Sequence, residues 1–138
     1  LGTTKIEARW TGEELNFIGS NSRGNEVAMG GAGVPPTHML LMGLAGCTGM
    51  DVLSILQKKR QEVSAVEVEV IGHNADDYPK PYHTIEMHFK VRGNKVSETA
   101  VARAIELSMT KYCIVGQTLQ QETEVTARFT IAGPADQA

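Results

Sequence analysis

Residues 35–60 constrain everything else in this chain. From Met39 to Met50 the stretch carries no charge, and its apolar residues fall on every side of a helical projection. A surface helix shows a one-sided apolar stripe, so a helix apolar all round is expected to be buried on most sides. Pro35-Pro36 suits a first helical turn, and Lys58-Lys59-Arg60 suits a last one, where cations meet the negative end of the helix dipole. Such a helix is roughly 37 Å long, whereas a compact chain of this size has a radius of gyration of about 14 Å. The helix must cross the whole globule. Gly43, Gly46 and Gly49 recur at every third position, each costing about 1 kcal/mol relative to alanine in a helix interior. That cost calls for an offsetting gain, which close approach of another backbone supplies, such as the same helix of a second subunit. Cys47 sits in the middle of this small-residue surface.

The chain has 138 residues, which suits a single domain, residues 1–138, around one core. A net charge of −3 and a pI near 5.8 argue for neither nucleic acid nor an anionic membrane as partner. The uncharged apolar run is shorter than a bilayer span, and no signal peptide is visible. A cytoplasmic, reducing setting is therefore expected, where a lasting structural disulfide between Cys47 and Cys113 is not. Two readings of these thiols stay open. They are small buried hydrophobes, or one of them is a redox or nucleophilic group.

The rest of the chain alternates in the way strands do. Ile6, Ala8 and Trp10 share one face, and Leu15-Asn16-Phe17-Ile18-Gly19 completes a hairpin with them. Glu26-Val27-Ala28-Met29 is a short third strand, and Gly30-Gly31-Ala32-Gly33 leads into the helix. Beyond the helix, Val66, Val68 and Val70 alternate with glutamates, and Ile85, Met87, Phe89 and Val91 form a partner strand. Ser97 and Glu98 open a second helix that is predicted to run to about Lys111, with Cys113 at or just past its end. Val125, Ala127, Phe129 and Ile131 predict a last strand. Hairpins with one polar face and only two helices give an α+β fold, with an antiparallel sheet covered on one side by helices.

Chemistry has few places to reside. A thiol enzyme needs a thiolate, and Cys47 in mid-helix gains little from the dipole. Asp51, one turn on, shares its face and raises the thiol pKa unless it is paired. A cation from elsewhere is required. Arg23, in the polar loop before the third strand, is the candidate, against the alternative of a solvated loop arginine. The four histidines and two cysteines show no recognised ligand spacing, so no metal site is expected. Gly30-Gly31-Ala32-Gly33 lacks the spacing of a phosphate loop, and the methionines are core filler.

The run Pro36-Thr37-His38-Met39-Leu40-Leu41-Met42-Gly43-Leu44-Ala45-Gly46-Cys47-Thr48-Gly49 resembles the first cysteine helix of the OsmC/Ohr family of osmotically inducible and organic hydroperoxide resistance proteins. Ala104-Ile105-Glu106-Leu107-Ser108-Met109-Thr110-Lys111-Tyr112-Cys113-Ile114-Val115 resembles the family's second cysteine motif. The two occur in the family's order and separation, and the likeness covers nearly the whole chain.

The resemblance implies an intertwined α+β homodimer, with antiparallel sheets wrapped around two long central helices and active sites near the interface. It implies a thiol peroxidase for organic hydroperoxides, with Cys47 peroxidatic, Cys113 resolving and Arg23 in the place of the family's arginine. His38, Met42 and Met50 would line the substrate pocket. Cys47 would become a sulfenic acid and condense with Cys113 to a disulfide, which an external dithiol, lipoylated or otherwise, reduces by exchange. No bound cofactor is implied. The chain departs from the family pattern at the glutamate that pairs with the arginine, where Thr37 and His38 stand instead. That departure motivates a second reading, a non-catalytic relative that binds a small apolar ligand or senses redox state at the dimer cleft.

Overall fold

The computed structural model describes residues 2–134. Strands β1 (Ile6–Trp10), β2 (Phe17–Asn21) and β3 (Glu26–Met29) form an antiparallel sheet in chain order. Asn21 shapes the β2–β3 turn, its Oδ1 accepting from the backbone N–H of Arg23 at 3.0 Å and of Asn25 at 2.9 Å. This sheet packs mainly against itself, and every residue of β1 is exposed, Ile6 and Trp10 included.

Helix α1 (Pro36–Lys58) follows the predicted stretch closely. Proline at its start leaves no N–H to satisfy. At its end Arg60 takes a left-handed conformation, φ +57°. The Arg60 N–H donates to Gln57 O at 2.9 Å and the Gln61 N–H to Leu56 O at 3.0 Å, which closes the last turn as a Schellman motif. Then come β4 (Glu62–Asn74) and β5 (Tyr82–Asn94), a long antiparallel hairpin. Val66 faces Val91, Val68 faces Phe89 and Val70 faces Met87 across it, while Glu67 opposes Lys90 on the wet side.

Helix α2 (Glu98–Leu107) is capped by Ser97, whose Oγ accepts from the Ala100 N–H at 3.2 Å. The core lies where α1 and α2 meet the inner face of the hairpin. Val52, Leu56 and Ala104 are fully buried there, flanked by Val63, Phe89, Val91 and Ile105. The α+β architecture is as expected from the sequence, and three expectations need correction.

First, α1 is not buried on most sides within one chain. Its buried residues are Leu44, Thr48, Val52 and Leu56, a single row at four-residue spacing, while Met42 and Met50 are exposed. One chain supplies packing for only one side of the helix. Second, by length and composition α1 is long and apolar enough to cross a bilayer, contrary to the estimate from its uncharged run alone. Val52 and Leu56 of its buried row pack with Ala104 of α2 and with Val63, Phe89 and Val91 of the hairpin. Third, Val125, Ala127, Phe129 and Ile131 alternate but form no strand. Among the described residues no ladder partner takes up their backbone, and Val125, Phe129 and Ile131 are 86–87% exposed. Alternation prepares a strand, and only a neighbouring backbone makes one.

Candidate active site

Cys47 and Asp51 are four residues apart on α1, so both project from one face of the helix. Cys113 arrives from the far end of α2 by an irregular route. Regular helix stops at Leu107, and Ser108–Tyr112 is π-helical, ending with the Cys113 N–H donating to Ser108 O at 2.8 Å. The extra residue per turn rotates the downstream residues around the helix axis, a device common at functional sites. Cys113 then turns extended and caps a short helix, α3 (Ile114–Leu119), with its Sγ accepting from the Gly116 N–H at 3.2 Å.

The result is a convergence of three groups. The Sγ of Cys47, the Sγ of Cys113 and a carboxylate oxygen of Asp51 all lie within 4.8 Å of one another. Both cysteines are free thiols, Cys47 half-buried and Cys113 buried. A disulfide needs an S–S distance of about 2.05 Å, so less than about 3 Å of movement separates the pair from a bond. Ser108 is also fully buried, and its Oγ donates to Asp51 Oδ2 at 2.9 Å. The π-helical segment therefore supplies the donor that holds the carboxylate and delivers the second sulfur at its end.

The Cys113 thiol is pushed up to about 11. Burial is the main cause, followed by its hydrogen bond with Cys47; negative charge on Cys47 and Asp51 adds to it, and the Gly116 N–H opposes it. At neutral pH roughly one Cys113 in 10⁴ is a thiolate. Cys47 is the less buried of the two cysteines.

A family model described as OsmC-like protein matches residues 29–128. The chain belongs to the OsmC-like family. Protein YhfA of Escherichia coli is 35% identical over 131 residues, covering 92% of this chain and 97% of that protein. A crystal structure from Aquifex aeolicus has a TM-score of 0.80 and 33% identity, over 87% of this chain and 89% of that one. The organic hydroperoxide resistance protein OhrB of Bacillus subtilis shares the fold at a TM-score of 0.57 and 14% identity, over 86% of this chain and 91% of that one.

This OsmC-like chain gathers only some of the residues the sequence singles out. Arg23 lies exposed in the β2–β3 turn; among the described residues its side chain makes no hydrogen bond or ion pair with either cysteine. His38 is on the first turn of α1, about 13 Å along the axis from Cys47. Met42 projects about 140° around the helix from Cys47, exposed. Met50 borders a groove of about 630 Å³ between α1 and β4, beside Gly46, Gly49 and Val68. A second cavity, about 290 Å³, adjoins the Cys113 end of the site and is lined by Leu44, His83, Met87, Met109 and Gly116.

Ser108 and Gly116 carry no functional signal in the sequence, and Asp51 reads there only as an obstacle. Spacing cannot reveal them, because the site is closed by tertiary contact between distant segments. The three convergent groups are also the donors that could hold a cation. Two sulfurs and a carboxylate suit zinc chemically, but they are three donors where a structural zinc site uses four.

Proposed function

We propose that this protein is a thiol-dependent peroxidase that reduces organic hydroperoxides. The observation that carries the reading is the half-exposed Cys47 set beside the buried, protonated Cys113. Attack requires a thiolate that the peroxide can reach, which selects Cys47 as the first nucleophile. Its sulfur takes the distal peroxide oxygen and the O–O bond breaks. The alkoxide leaves, gains a proton and departs as an alcohol. Cys47 is then a sulfenic acid. Cys113 displaces the hydroxyl as water and forms the Cys47–Cys113 disulfide. An external dithiol, lipoylated or another, reduces that bond by exchange, and a reducing cytoplasm suits the resting dithiol.

A homodimer belongs to the same proposal. Met42 and Met50 on α1, Ile6 and Trp10 on β1, and Phe129 and Ile131 near the C-terminus all expose apolar surface, of the kind that marks interaction sites where it is contiguous. A second copy would cover these faces, and Arg23 is the guanidinium proposed to complete the site on assembly.

Mixing reduced protein with cumene hydroperoxide and counting free thiols tests the reading. Thiol loss far faster than that of free cysteine, abolished in Cys47→Ser, is the expected result. Consumption no faster than free cysteine would sink it. A second reading draws on the 290 Å³ cavity walled by Leu44, Ile85, Met87, Met109 and Leu119, which suits a small apolar ligand. A ligand-induced rise in melting temperature that survives loss of both cysteines would favour binding over catalysis.

A further inference from the structure

We propose that Asp51 is the proton acceptor for closure of the disulfide, with Ser108 as its positioning residue. The proposal rests on the peroxidase reading above and concerns its second chemical step. Three observations carry it. An Asp51 carboxylate oxygen lies within 4.8 Å of both sulfurs. The carboxylate is held there by the Oγ of a fully buried Ser108 at 2.9 Å. Among the described residues, no histidine, lysine or arginine side chain hydrogen-bonds to either sulfur.

The sulfenic acid of Cys47 carries an S–OH group, and Cys113 meets it as a thiol. Asp51 takes the Cys113 proton while the Cys113 sulfur attacks the Cys47 sulfur. The S–S bond forms and the S–O bond breaks, its electron pair leaving on oxygen. The departing hydroxide recovers the proton from the Asp51 carboxyl and leaves as water. Cys113 is oxidised, the sulfenic sulfur is reduced, and the carboxylate is regenerated. The separation of up to 4.8 Å is within reach through one water, or closes as the sulfurs approach.

Two effects of Asp51 oppose each other. Its negative charge holds the Cys113 proton on, and its basicity takes the proton off. The charge effect is the smallest of the causes acting on Cys113, whereas a positioned general base typically contributes about 10²–10⁴-fold. Basicity should therefore win, and removing the carboxylate should slow closure.

The test oxidises the reduced full chain with one equivalent of cumene hydroperoxide. It follows the sulfenic acid as a dimedone adduct and the disulfide by mass spectrometry, so the second phase is read apart from the first. Asp51→Asn should slow that phase about 100-fold or more. Its rate should climb with pH toward the ionisation of Cys113, while the wild-type rate stays nearly flat around neutrality; Asp51→Glu should recover part of the loss. Closure in Asp51→Asn at the wild-type rate or faster, or with an unaltered pH profile, overturns the proposal. If the wild type yields neither adduct nor disulfide with peroxide, the peroxidase reading is what has failed. Diamide then closes the same pair, where Cys113 must still lose its proton and the same Asp51→Asn slowing is expected. Should Asp51→Asn lose its helical circular dichroism, Ser108→Ala takes its place. Slower closure with the carboxylate retained supports the proposal, and wild-type closure overturns it.

Discussion

Ser108 Oγ donates a 2.9 Å hydrogen bond to Asp51 Oδ2, tying the π-helical end of α2 to the middle of α1. The serine is fully buried and the aspartate half-buried. This bond fixes the register between the helix that carries Cys47 and the segment that carries Cys113. It is also the donor that keeps a carboxylate in place beside two thiols.

Removing that donor should be felt in stability. In Ser108→Ala a partly buried carboxylate loses a charge-assisted bond, worth about 1.5–3 kcal/mol, with water recovering part of it. A fall in unfolding free energy of about 1–2 kcal/mol is expected, seen as a lower urea midpoint at constant m-value. An unchanged midpoint would mean that the bond contributes nothing net.

Much of this fold is legible from local signals. Pro35-Pro36 and the basic residues at 58–60 bracket α1 to within two residues, because end effects act within one turn. Ser97 caps α2 through its own side chain, and the period-two valines of β4 face apolar residues of β5 as alternation requires. What local signals miss depends on distant partners. Nothing in Ser108-Met109-Thr110-Lys111-Tyr112 announces a π-helical turn, since the extra residue is accommodated by contacts with α1. The alternating 125–131 segment lacks a ladder because strand formation needs a second backbone. Arg23 obeys its own turn chemistry through Asn21, and sequence spacing says nothing about what its side chain meets. The cysteine pair can be named from its two motifs, while the carboxylate between them is visible in the sequence only as a complication.

Arg60 offers a stabilising substitution. It holds the left-handed position of the Schellman motif at φ +57°, where an L side chain costs about 1–2 kcal/mol and glycine costs nothing sterically. Glycine loses part of that advantage through its freer unfolded chain. Arg60→Gly should raise stability by up to about 1 kcal/mol, read as a higher melting temperature. A lower one would show that the arginine side chain makes up for its backbone strain.

Stability should fall in alkali through Cys113. Its folded pKa is raised from 9.0 to about 11, chiefly by burial. Between those values the folded state binds more protons than the unfolded state, so unfolding free energy decreases as pH rises. The contribution is intact below pH 9 and lost as pH climbs through about 11, for a total on the order of 2–3 kcal/mol. Denaturant midpoints from pH 8 to 11 should show this decline, and Cys113→Ala should flatten it. Equal slopes in the two proteins would mean that other groups govern the alkaline limb. Alkylation at pH 7 should mark Cys47 well before Cys113.

Gly46 tests whether α1 meets a second copy. A Cβ added at Gly43 or Gly46 touches nothing within 4 Å in the single chain, whereas one at Gly49 would come 3.3 Å from Val68 Cγ2. The hairpin thus accounts for Gly49 and leaves the other two unexplained. If the chain stood alone, Gly46→Ala would gain about 1 kcal/mol of helix propensity and change nothing else. If the proposed dimer seats another backbone on this face, the added methyl holds the two apart. Gly46→Ala should then shift the protein from dimer toward monomer in analytical ultracentrifugation, at concentrations where the wild type is fully paired. A variant that stays dimeric and melts higher would place the interface elsewhere and leave these glycines without a packing role.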